Sequence, residues 1–158
     1  MVSFKRVSMA TLVLLLAGAG VQTVAAERSD SNTVKISFAN NNDGNPGKDC
    51  TKELLWGTKG QFKLGDMECG NDNAYYFKVE NMPAGAVLML ADSPSCDDDG
   101  NFYFKLRSAK HPFQMEWMKI QDLRTYAVGD QVKPGLKLLV KKGTGQIHGK
   151  LSCFRYEY

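Results

Sequence analysis

The sequence lacks the short motifs of the commonest hydrolases and phosphate-binding enzymes. It has no GxSxG elbow of a serine hydrolase, no HExxH pair of a zinc peptidase and no GxxxxGK[ST] phosphate loop. It has only two histidines and no CxxC pair, so a zinc finger would lack its usual ligands. The sequence therefore predicts no catalytic residues, no cofactor and no metal, and favours a protein that acts by binding.

Long apolar runs are also scarce, and the single one lies at the amino terminus. Lys5 and Arg6 precede the apolar residues 9–18, and small residues ending at Ala26 follow. A membrane anchor needs about 20 apolar residues, a length that no later run approaches. We therefore expect residues 1–26 to be a signal peptide and residues 27–158 to be secreted to the extracellular space or into a host, with no membrane association after cleavage.

A charge excess of one sign is missing as well. The precursor has 20 Lys and Arg against 17 Asp and Glu, and the two basic residues of the signal peptide account for most of the difference. A near-neutral secreted chain gives no electrostatic argument for nucleic acid or an anionic membrane as partner. The chain has no Asn-x-Ser/Thr triplet and no linker, and its length fits one monomeric domain.

Four cysteines are present, at Cys50, Cys69, Cys96 and Cys153. An even number in a secreted chain indicates two disulfides. Four cysteines allow three pairings. We expect Cys50 to pair with Cys69 and Cys96 with Cys153, because the last strand would then be tied to a turn in the body of the sheet.

Short strands separated by Gly, Pro, Asn and Asp turns account for most of the remaining sequence. This pattern predicts an all-β fold, or a mainly β fold with one short helix, as a single-domain sandwich or barrel of about eight strands. The β-rich runs are residues 33–39, 61–64, 74–79, 86–90, 101–107, 113–120, 126–128, 136–141 and 150–156.

Two segments before residue 60 do not show this strand pattern. Residues 40–49 form a polar run with Gly and Pro, which predicts a loop after the first strand. Residues 52–56 could form a short helix that is capped by Asp49 or Thr51 and ended by Gly57.

Candidate contact residues come from aromatic side chains and loops. Alternation in residues 74–79 places Tyr75 inward and Tyr76 outward. Exposed aromatics often anchor protein interfaces, and scaffold-held loops often carry recognition, here residues 41–48, 97–100 and 143–149. The predicted partner-binding residues are Trp56, Tyr76, Asp98, Tyr103 and His148.

The acidic run 97–99 also invites a calcium interpretation. Aligned on Gly100, however, an EF-hand loop would begin at Ser95 and end at Leu106, so its ligand pattern fails. A tight turn at Asp99 and Gly100 explains the run without an ion.

Two alternatives to a protein-binding role remain open. His111, Glu116, Arg124 and His148 follow the His, Glu, Arg, His order of small secreted ribonucleases, although five residues of a strand would place His111 and Glu116 on opposite faces. An exposed aromatic could instead stack on a sugar, as in a carbohydrate-binding module.

Taken together, the signal ending at Ala26, the four cysteines and the closing strand 151–156 resemble the small secreted cysteine-containing effector proteins of fungi. That class implies a β-rich, disulfide-bonded virulence protein that binds a host or other extracellular protein, in some cases by inhibiting a hydrolase such as a protease. We therefore expect an effector-type binding protein, with a hydrolase inhibitor as its most concrete form.

Overall fold

The computed structural model describes residues 32–158, so the predicted signal peptide lies outside the described residues. Within this range, no helix is long and apolar enough to cross a membrane. Two short 3₁₀ helices are present, at Leu64–Asp66 and Ile120–Thr125. The strands are β1 (Thr33–Asn42), β2 (Asn45–Leu55), β3 (Lys59–Lys63), β4 (Tyr76–Met82), β5 (Val87–Ala91), β6 (Tyr103–Ser108), β7 (Phe113–Lys119), β8 (Gln131–Lys133), β9 (Leu136–Lys142) and β10 (Cys153–Glu157).

These strands form two antiparallel sheets that together make a β-sandwich-like domain. The four-stranded sheet has the order β2-β1-β4-β7, and the six-stranded sheet has the order β3-β10-β5-β6-β9-β8. The predicted mainly β sandwich is confirmed, with ten strands rather than about eight.

Alternating side chains build the core between the sheets. Val34, Ile36 and Phe38 of β1 are fully buried, as their period-two spacing predicts. The ring of Phe154 on β10 lies 5.0 Å from the ring of Phe38 in the facing sheet and 5.0 Å from the ring of Phe62 on β3. Each buried aromatic of this kind stabilises the fold by about 2 to 3 kcal/mol, so this contact is a main link between the sheets.

The predicted loop at 40–49 and the predicted helix at 52–56 are both wrong. β1 continues to Asn42, and β2 runs back antiparallel to it from Asn45 to Leu55, with a shift of register between Ala39 and Asn41. Asp43 and Gly44 make the two-residue turn, with φ of 48° and 87°, because such hairpin turns require positive φ at both central positions. β2 is an edge strand with few buried residues, so its sequence carries little strand periodicity while its pairing with β1 fixes the conformation.

A smaller difference lies in the carboxyl-terminal half of the chain. The predicted strand at 126–128 is wrong, because this segment is a turn that follows the 3₁₀ helix and precedes the short strand β8. The Gly129 amide donates to the Leu138 carbonyl and the Asp130 amide to the Ala127 carbonyl, which closes the turn.

Both predicted disulfides are confirmed. Cys50 of β2 pairs with Cys69, which lies between the first 3₁₀ helix and β4. Cys96, in the connection between β5 and β6, pairs with Cys153 at the start of β10. The second bridge thus ties the last strand to a turn, as expected.

Removal of either disulfide should destabilise the fold, and the two losses of unfolding free energy should differ. The bridges span 57 residues for Cys96–Cys153 and 19 for Cys50–Cys69, which by chain entropy correspond to about 4 and about 3 kcal/mol. We expect the Cys96→Ser/Cys153→Ser variant to lose more unfolding free energy than the Cys50→Ser/Cys69→Ser variant. Urea denaturation of both variants measures this, and the reverse order would contradict it.

Tyr156 supports a second prediction, because its hydroxyl is buried and has no hydrogen-bond partner among the described residues. Tyr156→Phe should raise the unfolding free energy at neutral pH by about 1 kcal/mol, since no buried hydroxyl is then left unpaired.

The same residue predicts a pH dependence. Burial raises the pKa of Tyr156 from 10.0 to about 12. The folded state therefore holds the proton more tightly, and this contribution to stability is complete below pH 10 and is lost as the pH rises toward 12. Denaturation across this range should show a steeper fall for the parent protein than for Tyr156→Phe, and parallel curves would contradict the assignment.

Candidate functional site

The structure places the five predicted partner-binding residues at three separate locations. Tyr76 and His148 line one cleft. Asp98 and Tyr103 lie at the outer face of the six-stranded sheet, where the Asp98 carboxylate pairs with the Lys142 ammonium. Trp56 is half-buried after β2, and its indole N–H donates to the Asn81 carbonyl at 3.2 Å. The first location has a concave shape built from several elements.

That cleft lies where the tip of the β1–β2 hairpin, the start of β4, the end of β7 and the loop 143–149 meet. It consists of two adjoining hollows that share Gln121 and His148, with volumes of about 110 and 480 Å³. We call the two together the His148 cleft. Its other lining residues include Asn41, Gly44, Tyr75, Tyr76, Lys119, Arg124, Gly145 and Gln146.

The expected exposure of Tyr76 and Tyr75 is reversed in the structure. Tyr76 does face away from the core, but it is only 4% exposed, because the hairpin tip covers it. Its hydroxyl donates to the Gly44 carbonyl at 2.5 Å and also lies 3.2 Å from Asn41 Oδ1. Tyr75, expected to face inward, is partly exposed and forms a wall of the cleft.

His148 projects from the loop 143–149 and is exposed. Its ring centroid lies 5.8 Å from that of Tyr75. The next residue, Gly149, has φ of 61°, and a Cβ there would lie 3.0 Å from the Tyr75 ring and 2.9 Å from the Asp72 carbonyl oxygen. A glycine is therefore required for the loop to bring His148 this close to Tyr75.

Arg124 holds the other end of the same loop. Its guanidinium donates to the Gly145 carbonyl at 2.8 Å and makes longer contacts of 3.4 Å to the carbonyls of Gly143 and Thr144. The Lys141 ammonium donates to the carbonyls of Arg124 and Tyr126 at 3.0 and 2.6 Å. The loop and the 3₁₀ helix beside it are therefore fixed to each other.

Packing against Asn101 adds a further restraint. A Cβ on Gly143 would lie 2.3 Å from the Asn101 carbonyl oxygen, and one on Gly145 would lie 2.1 Å from Asn101 Oδ1. The loop therefore packs closely against the residues just before β6, and both glycines are needed for this close approach.

The four residues of the ribonuclease alternative do not converge. His111 packs edge-on against Trp56, with ring centroids 4.8 Å apart, and Trp56 bonds to Asn81 near the end of β4. His148 lies against Tyr75, directly before β4. Six residues of extended chain separate Tyr75 from Asn81, which is about 20 Å.

The two histidines consequently lie at opposite ends of β4. Arg124 shares the cleft with His148, whereas Glu116 is exposed on β7 and does not line it. Among residues 32–158 no group of three or more His, Cys, Asp or Glu side chains could hold a metal ion.

Of the residues that line this cleft, the sequence pointed to Tyr76 and His148 but not to Tyr75, Lys119 or Gln121. Lys119 ends β7, with its ammonium 5.9 Å from the centre of the Tyr76 ring, and Gln121 lies in the following 3₁₀ helix. No sequence motif contains these residues, because they come together only in the fold, where the ends of several strands meet.

The restraint on the loop by Arg124 can be tested directly. Arg124→Ala removes the charged donor to the Gly145 carbonyl, and such a bond contributes enough stability that amide hydrogen exchange in residues 143–149 should become about tenfold faster. Arg107→Ala, an exposed arginine on β6, is the matched control. Unchanged exchange in the loop would show that Arg124 does not hold it.

Comparison with known proteins does not assign a family or a function to the chain. No protein-family model matches the chain, and the searches of curated proteins and of solved structures give no match either. The function must therefore be argued from the geometry and chemistry of the site itself.

Proposed function

We propose that this chain is a secreted, effector-type binding protein that recognises an extracellular or host protein through the His148 cleft. Inhibition of a hydrolase such as a protease is the most concrete form of this role. One observation carries the proposal. Two of the three segments predicted as contact surface, 41–48 and 143–149, flank a single cleft that contains Tyr75 and His148.

Both walls of the cleft are held rigidly. The Tyr76 hydroxyl fixes the hairpin tip at Gly44, and the Cys50–Cys69 bridge anchors the strand that leaves the tip. Arg124 fixes the opposite loop at Gly145. Because binding costs about 0.5 to 1.5 kcal/mol for each flexible side chain that must be ordered, fixed walls favour tight association. Inhibitors of hydrolases commonly bind with little backbone movement.

The chemistry of the lining suits a protein surface. The rings of Tyr75 and His148 offer apolar contact area, while Asn41 and Gln121 offer amide donors and acceptors. Tyrosine in a small pocket is typical of residues that dominate interface energies. The cleft is lined by the cations Lys119 and Arg124 and by one carboxylate, that of Asp122, so its charged side chains carry a net positive charge, which favours a partner that presents a carboxylate.

Two disulfides support an extracellular site of action. Bridges of this kind form and persist in oxidising compartments, and small secreted domains often depend on them. The predicted signal peptide agrees with this.

Affinity capture with the oxidised protein tests the proposal. The bait is exposed to extracellular fluid from candidate hosts and competitors, and captured proteins are identified by mass spectrometry. We expect a saturable partner whose affinity falls about tenfold or more in His148→Ala and in Tyr75→Ala, since truncating an interface anchor costs about 2 kcal/mol.

Matched controls come from the same chain. His111→Ala removes an exposed histidine at the opposite end of β4, and Tyr158→Ala removes an exposed tyrosine at the carboxyl terminus. Both should retain the partner. Unchanged affinity of the two cleft variants for the partner, or the absence of any saturable partner, would contradict the proposal. If the partner is a hydrolase, its activity should fall in proportion to the fraction bound.

A further inference from the structure

The outer face of the six-stranded sheet carries an unusual arrangement of charge. Cross-strand pairing places residues of five strands in three rows on this face. The first row is Lys59, Glu157, Val87, Arg107 and Lys137; the second is Gln61, Arg155, Met89, Lys105 and Val140; the third is Lys63, Cys153, Ala91, Tyr103 and Lys142.

These rows contain seven basic side chains and one carboxylate, that of Glu157, and Asp98 of the β5–β6 connection adds a second carboxylate beside Lys142. The chain without its signal peptide is nearly neutral, so the rest of the domain is net negative. Charge is therefore segregated onto this surface, which we call the basic face.

Ion pairing reinforces the contrast between the two sheets. On the outer face of the four-stranded sheet, Lys35 pairs with Glu53 at 2.9 Å and Lys78 with Glu80 at 3.1 Å. On the basic face only Lys142 has a salt bridge within the described residues, to Asp98. The other six cations lack an anionic partner there, and each can neutralise a ligand without first breaking an ion pair.

The basic face is also broad, and the β5–β6 connection covers Ala91 and Cys153 in its third row, where Cys96 is bonded to Cys153. Four strand spacings separate β3 from β9, which is about 19 Å. Met89 lies at its centre and is only 2% exposed, although it points outward. Arg155 and Lys105 are its cross-strand neighbours on either side, and both are half-buried.

We propose that the basic face binds an extended anionic polysaccharide that carries carboxylate or sulfate groups. Charge complementarity over this length supplies affinity for a polymer with repeated negative groups. The inference uses no residue of the His148 cleft and is independent of the proposed function.

Nucleic acid fits this surface less well. Single-stranded nucleic acid is held by several aromatic side chains that stack on bases, whereas Tyr103 is the one aromatic residue of the three rows. Reading duplex DNA requires a helix or ribbon that enters a groove, and the rows lie on a sheet face that presents neither.

The test measures binding of the oxidised protein to polygalacturonate and to heparin over a series of NaCl concentrations, with neutral dextran as a control polymer. Lys105→Gln/Arg107→Gln removes two adjacent charges of the basic face. Lys35→Gln/Lys78→Gln removes two from the opposite sheet and leaves the net charge equal to that of the first variant. Retained melting temperature confirms that both variants fold.

We expect at least one anionic polymer to bind, with an affinity that falls as salt rises. The Lys105→Gln/Arg107→Gln variant should bind about tenfold more weakly, because each exposed charge contact contributes up to about 1 kcal/mol, and its salt dependence should be shallower. The Lys35→Gln/Lys78→Gln variant and His148→Ala should bind like the parent.

Three results would overturn the proposal. Equal weakening by both double variants would mean that net charge, rather than the basic face, controls binding. Tighter binding of a single-stranded oligonucleotide than of either polysaccharide at the same salt would assign the face to nucleic acid. Failure of both anionic polymers to bind better than dextran would rule out an anionic polysaccharide as the ligand of the basic face.

Discussion

The contact of Phe154 with Phe38 and Phe62 is the interaction on which the rest of the structure depends. It brings β10 of one sheet against β1 of the other and packs β3 beside β10 in the same layer. β10 lies between β3 and β5, and its first residue carries the disulfide to Cys96. Because residues alternate across a strand, burial of Phe154 and Tyr156 turns Arg155 outward. One strand thereby contributes to the core, to a covalent link and to the middle row of the basic face.

The two proposed binding surfaces follow from different features of the same sandwich. The His148 cleft lies at one end, where strands stop and connecting segments meet, and its shape depends on particular bonds such as that from Arg124 to Gly145. The basic face depends instead on strand register, which aligns cations of separate strands. A protein partner at the cleft and an anionic polymer on the sheet could be bound together, since the two residue sets do not overlap.

The sequence allowed the sandwich, most strands and the presence of two disulfides to be predicted, because alternation in β1 and β6 and the cysteine count are local or compositional signals. The correct pairing was one of three, chosen by tying the last strand to a turn in the body of the sheet. β2 was missed because its pairing with β1, rather than its own pattern, makes it a strand. The burial of Tyr76 could not be predicted, since the hairpin that covers it is distant in sequence. The basic face could not be predicted from the net charge, which sums the charges of both sheets. Strand register determines which lysines lie beside a carboxylate and which do not.

The most direct test of the central claim is hydrogen exchange of the oxidised protein with and without its captured partner, followed amide by amide. The account predicts that protection on binding concentrates in residues 41–48, 119–124 and 143–149, which surround the His148 cleft. The outer strands of the six-stranded sheet should exchange as before. Protection confined to the opposite end of β4, around Trp56 and His111, would contradict the account, because it would place the partner away from the cleft.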